Sequence, residues 1–93
     1  MQQATLKVVH ESGLHARPAD VFVRTAKLFQ SMITVSNGAK KANAKSILEV
    51  ILLGANQGSE ITVQCEGPDE GEALAALQAL VDSNFGNPDP RVM

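Results

Sequence analysis

The sequence predicts an α+β domain in which four antiparallel strands form one sheet, covered on one face by three helices in the order β-α-β-β-α-β-α. Three observations carry that expectation. Three segments alternate apolar and polar residues with a period of two, and a fourth follows a hairpin turn signal. Two segments space their apolar residues for a helix, and a third opens on a helix-capping pattern. The 93 residues suit a single domain, 1–93, ending in a short tail at 87–93.

The first strand is expected over Ala4–Val9, where Leu6 and Val8 alternate with Thr5 and Lys7, and Glu11-Ser12-Gly13 breaks it. From Ala16 the period changes: Ala19, Phe22, Val23, Ala26 and Phe29 make one helical stripe. Pro18 belongs in a first turn, which places the helix start at residues 16–18. Met32–Ser36 is the second strand, with Ile33 and Val35 inward. Asn37-Gly38 signals a hairpin, and Lys40–Asn43 returns. For the apolar run 47–53, period alone does not separate helix from strand; Ser46-x-x-Glu49 reads as a capping box and favours a short helix. Glu60–Glu66 alternates with Ile61, Val63 and Cys65 inward, and Gly67-Pro68 turns the chain. Asp69 with Glu72 reads as a second capping box, opening a helix whose stripe is Ala73, Leu74, Leu77, Leu80 and Val81, with Gly86 at C′.

Composition excludes several function classes. With no Trp or Tyr and three Phe, the chain lacks stacking surfaces for single-stranded nucleic acid. The single Cys65 permits neither an intrachain disulfide nor a thiolate zinc cluster. No apolar run is long enough to span a bilayer and the first residues do not resemble a signal peptide, so a cytoplasmic location is expected. Seven of the eight bases precede residue 46, whereas eight of the ten acids follow it. That asymmetry fits either a basic face that steers an acidic partner or charges scattered over solvated surface.

The residues that carry chemistry are Gly13-Leu14-His15-Ala16-Arg17-Pro18-Ala19. His15 stands just ahead of a helix whose first N–H groups lack intrahelical acceptors, a setting that favours negative charge. Arg17, always cationic, can grip a phosphate oxygen in a bidentate fork. A neutral imidazole is a competent nucleophile toward phosphorus near neutral pH. Glu11 and Asp20 are the only acid-base groups nearby in sequence, so acceleration of any transfer would fall to a partner protein. A His-x-Arg-Pro on its own more often marks an ordinary helix start.

The longer string changes that balance, because it closely resembles the active-site segment of the HPr family, the histidine phosphocarriers of the sugar phosphotransferase system. Asn43-Ala44-Lys45-Ser46-Ile47-Leu48 with Leu53-Gly54 resembles the family's regulatory-serine region. Gly67, Asp69-Glu70 and Ala73-Leu74 resemble the entry to its last helix. The resemblance spans nearly the whole chain and implies the HPr-like open-faced β-sandwich. It implies that His15 accepts a phosphoryl group through Nδ1 and that Arg17 stabilises it. The implied donor is enzyme I, charged from phosphoenolpyruvate, and the implied acceptors are IIA domains of sugar permeases. The chain is then a carrier and not an enzyme, expected as a monomer, and the resemblance implies no metal or organic cofactor within it.

Ser46 has two readings: a phosphorylation site for an ATP-dependent HPr kinase/phosphorylase that engages a transcriptional regulator, as in many Gram-positive relatives, or a helix cap paired with Glu49. An acid at position 49 departs from the small or basic residues of the family and would repel a phosphate on Ser46. Ile47, Leu48 and Ile51 are expected to form an exposed docking patch ringed by Arg24, Lys27 and Lys45, with Val50 and Leu53 turned into the core. Asp20, a second departure from the family pattern, is expected in the first helical turn, where it would lower the positive potential about His15. His10 reads as a surface residue and Cys65 as core. Two further roles stay open: a regulatory module acting through the Ser46 face, and a nitrogen-related branch of the same phosphorelay.

Overall fold

A computed structural model describes residues 1–85. Its elements are β1 (Gln2–Lys7), α1 (Ala16–Ala26), β2 (Met32–Asn37), β3 (Lys40–Asn43), α2 (Ile47–Leu52), β4 (Glu60–Glu66) and α3 (Glu70–Asp82). The strands form one antiparallel sheet in the order β1-β4-β2-β3. Period-two alternation sends one set of side chains to a common face. Leu6 pairs with Ile61, and Ala4, Val63, Val35 and Ala42 line up across all four strands. On the opposite face Thr5 meets Thr62 and Gln3 meets Gln64 through side-chain hydrogen bonds. That face is polar and open, while the helices cover the apolar one.

Each helix buries one stripe. For α1 it is Pro18, Ala19, Phe22, Val23 and Ala26; for α3 it is Ala73, Leu74, Leu77 and Val81. The six-residue α2 buries Val50, and its C-cap Leu53 is buried as well. The hairpin turns at Gly38-Ala39 with φ of +64° at Gly38, the conformation that favours glycine at the first central position of a tight turn.

Several expectations are corrected. β1 begins at Gln2 and ends at Lys7, because Val8 pairs with the loop before β4, donating to Ser59 O and accepting from Gly58 N. Phe29 lies beyond the end of α1 and is only half-buried, as is Leu80 in α3. The box at Ser46 is half formed: Ser46 Oγ accepts from Glu49 N at 3.4 Å, but the Glu49 carboxylate accepts from Asn43 N at 3.1 Å instead of returning to Ser46 N. The box at Asp69 does not form. The Asp69 carboxylate accepts from Ser31 Oγ and from the N–H groups of Gln30 and Ser31, pinning the α1–β2 loop to the start of α3. Those bonds, the Ser31 hydroxyl foremost, hold its carboxyl below the usual carboxylate range. Glu70 takes the neighbouring duties, pairing with the Met1 ammonium at 3.0 Å and accepting from Gly67 N.

Helix α3 ends in a Schellman arrangement, Phe85 N to Leu80 O and Asn84 N to Val81 O, with Asn84 left-handed at φ +58°. Asn84 thus holds the C′ position expected at Gly86. Gly86 and the tail at 87–93 lie outside the described residues.

Candidate functional site

The site begins with the chain's approach to α1. Gly13 has φ of +69°, and a Cβ there would lie 2.5 Å from Ala55 O and 2.7 Å from Asn56 Cα. No other residue fits so close to that backbone. The approach lets Leu14 N donate to Ala55 O at 2.8 Å, while the Leu14 side chain is fully buried. These contacts place His15 at the N-cap of α1 with extended backbone, φ −131° and ψ 169°. Its side chain caps nothing, so the imidazole stays half-exposed and available.

Beyond His15 the backbone is strained. Ala16 has φ of +47°, a left-handed conformation that costs a non-glycine residue about 1–2 kcal/mol. Ala16 and Arg17 open the helix, where N–H groups have no carbonyl four residues back. Pro18 brings no donor. The first helical bond from this turn, Ala19 N to His15 O, is long at 3.4 Å. An anion beside His15 therefore meets open amides and the positive end of α1. Arg17 is exposed and forms no ion pair among the described residues.

One residue absent from the sequence reasoning joins this site. Asn56 Oδ1 lies 3.3 Å from His15 Nε2, across a separation of 41 residues. No local pattern signals it, since only the Gly13 approach brings its loop alongside.

The other candidates divide. Ile47, Leu48 and Ile51 are exposed as expected, and Leu52, unanticipated, is 66% exposed beside them. Along the chain this apolar face is followed by Leu53, Gly54, Ala55 and then Asn56, whose Oδ1 contacts His15. The expected basic ring is partly engaged elsewhere. Lys45 Nζ donates to Phe29 O at 2.7 Å, and Arg24 Nε pairs with Asp20 Oδ1 at 3.1 Å, while Lys27 is exposed. Asp20 is the fifth residue of α1 and lies past its first turn, which contains no acid; its partner is Arg24, one turn onward. Ser46 is half-buried as the N-cap of α2.

His10 is half-buried: its Nδ1 accepts from Ser12 N at 3.0 Å and its ring meets the Phe85 ring edge-on. Cys65 is buried, and burial pushes its thiol pKa up, which disfavours the reactive thiolate. Among the described residues no group of three His, Cys, Asp or Glu could hold a metal ion, and no helix is long and apolar enough to cross a membrane.

Comparison with known proteins follows the same lines. The family profile described as "PTS HPr component phosphorylation site" matches residues 2–83. Phosphocarrier protein HPr of Vibrio cholerae is 42% identical over 82 residues, covering 88% of this chain and 96% of that protein. Phosphocarrier protein HPr of Haemophilus influenzae is 41% identical over 81 residues, covering 87% and 95%. Among solved structures, HPr-C-His of Thermoanaerobacter tengcongensis superposes with a TM-score of 0.92 at 45% identity, over 96% of this chain and all of that one. HPr of Bacillus anthracis superposes with a TM-score of 0.83 at 42% identity, over 86% and 95%.

Proposed function

The chain belongs to the HPr family, the phosphocarriers of the phosphotransferase system, and from that premise we propose that it accepts a phosphoryl group on His15 Nδ1 from phosphorylated enzyme I and passes it to IIA domains of sugar permeases. The observation that carries this reading is the placement of His15 as an N-cap whose imidazole makes no cap bond, ahead of the first helix amides and two residues from Arg17, which forms no ion pair among the described residues. The amides and the helix dipole favour the phosphoryl charge, and the Arg17 fork can hold its oxygens. The imidazole Nδ1 lone pair forms the N–P bond as the donor's bond to phosphorus breaks with its pair. The reverse step returns the pair to Nδ1. Among the described residues no carboxylate hydrogen-bonds His15, whose side-chain partner is Asn56, so acid-base help is left to the partners.

The exposed apolar face of Ile47, Leu48, Ile51 and Leu52 gives those partners a docking surface, and the exposed Lys27 offers them a cation, while Arg24 pairs with Asp20 and Lys45 donates to Phe29 O. Ser46 belongs to the proposal as a second, regulatory position. A phosphate on Oγ would give Glu49 N a stronger acceptor and also face the Glu49 carboxylate. Mass spectrometry of the protein from its own cells separates a cap alone from a cap that is also modified by a kinase. The carrier role is tested with enzyme I, phosphoenolpyruvate and a IIA domain. Phosphate should move through the wild type to IIA and stop in His15→Ala; passage of equal phosphate through His15→Ala would overturn the assignment.

A further inference from the structure

We infer, building on the carrier role proposed above, that Asn56 is a positioning residue for His15: its Oδ1 accepts the Nε2–H and thereby reserves the Nδ1 lone pair for phosphorus. A neutral imidazole carries one proton, and the nitrogen that bears it is set by the hydrogen bond the ring makes. An amide oxygen only accepts, so with Oδ1 turned to the ring at 3.3 Å the pair forms a hydrogen bond when the proton is on Nε2.

The loop is built to hold that oxygen. Asn56 N donates to Ser59 Oγ at 3.0 Å, and Ser59 N donates to Asn56 O at 2.9 Å. On the other side, Leu14 N donates to Ala55 O, and Gly13 lies against Asn56 Cα too closely for any side chain. Both backbones that carry the pair are thus joined directly. The Asn56 side chain is exposed, and the loop's backbone bonds do not use it. The fold has no need of an amide there, whereas the imidazole does.

The proton on Nε2 then stays through the whole cycle. When Nδ1 bonds phosphorus, the donor's bond breaks with its electron pair, and the ring becomes a cation still bearing Nε2–H. The Asn56 oxygen binds that charged donor more strongly than the neutral one. When the N–P bond breaks, its pair returns to Nδ1 and a neutral imidazole leaves. Loss of the Nε2 proton would instead require imidazolate, a far poorer leaving group.

The test uses the full chain labelled with 15N, comparing wild type, Asn56→Leu and Asn56→Asp well above the ordinary histidine pKa. Ring-nitrogen shifts of His15 report the tautomer, and enzyme I with phosphoenolpyruvate reports the phosphorylation rate. The wild type should show Nε2–H with a bare Nδ1. Asn56→Leu should show a mixture of tautomers and a rate lower by about three- to tenfold, the worth of one hydrogen bond. Asn56→Asp keeps an acceptor and should restore the wild-type ring signature. A proton on Nδ1 in the wild type, or wild-type shifts and rate in a folded Asn56→Leu protein, would overturn the inference. A wild type that takes no phosphoryl group overturns the carrier role instead, and the ring signature then decides the Asn56 contact by itself.

Discussion

Replacing Gly13 with alanine should unfold this domain far more readily than the same change at Gly38. Both glycines are left-handed, at φ +69° and +64°. A non-glycine residue there costs about 1–2 kcal/mol in either case. At Gly38 a Cβ meets nothing within 4 Å, so that backbone cost is the whole effect. At Gly13 the Cβ would stand 2.5 Å from Ala55 O and 2.7 Å from Asn56 Cα, both backbone atoms that cannot rotate away. Forcing them apart costs about 1–3 kcal/mol and strains the Leu14 N to Ala55 O bond. Gly13→Ala should therefore lose about 3 kcal/mol and Gly38→Ala about 1 kcal/mol. For a domain of this size that is roughly 12–24 °C in Tm against 4–8 °C, read by calorimetry or urea titration. Equal melting temperatures for the two variants would refute the close approach, and with it the placement of His15 against Asn56.

Four further outcomes follow from particular residues. Val50→Ala, which empties a fully buried site, should cost about 2 kcal/mol in a denaturant titration. Leu48→Ala, on the exposed face, should leave stability within about 0.5 kcal/mol and weaken transfer from enzyme I. The Asp69 carboxyl has a folded pKa below its unfolded one, so its contribution is present above the unfolded pKa and lost as pH falls through the folded value. Tm measured across acid pH should fall less steeply in Asp69→Asn than in the wild type; parallel curves would contradict the Ser31 and Gln30 bonds. Arg17→Lys keeps the charge but loses the planar fork, and should slow phosphoryl acceptance by about tenfold with unchanged Tm.

Local physics made much of this legible. The alternation in Glu60–Glu66, the hairpin signal before Lys40–Asn43 and Pro18 in a first turn each act over a few residues, and the strands and helix start lie where those signals put them. The split of α2 into buried Val50 and exposed Ile47, Leu48 and Ile51 was equally readable, because a single turn and a half has only one inward side. What escaped was long-range. Asp69 has the residue type and position of a cap, but Gln30 and Ser31 reach it across 39 and 38 residues and hold its oxygens. Glu49 likewise turns to Asn43 instead of its own cap. Asn56 became visible only once Gly13 had brought its loop to His15. The string 13–19 pointed to a histidine suited to hold an anion, while Asn56, the neighbour proposed to set its proton, comes from across the fold.

The central claim, a phosphoryl group carried on His15 Nδ1, is tested most directly by 31P and 15N NMR of the labelled chain after incubation with enzyme I and phosphoenolpyruvate. The account predicts one acid-labile phosphorus resonance coupled to Nδ1 of His15, absent in His15→Ala. A phosphoryl group on Nε2, on His10 or on a serine, with His15 unchanged, would contradict it.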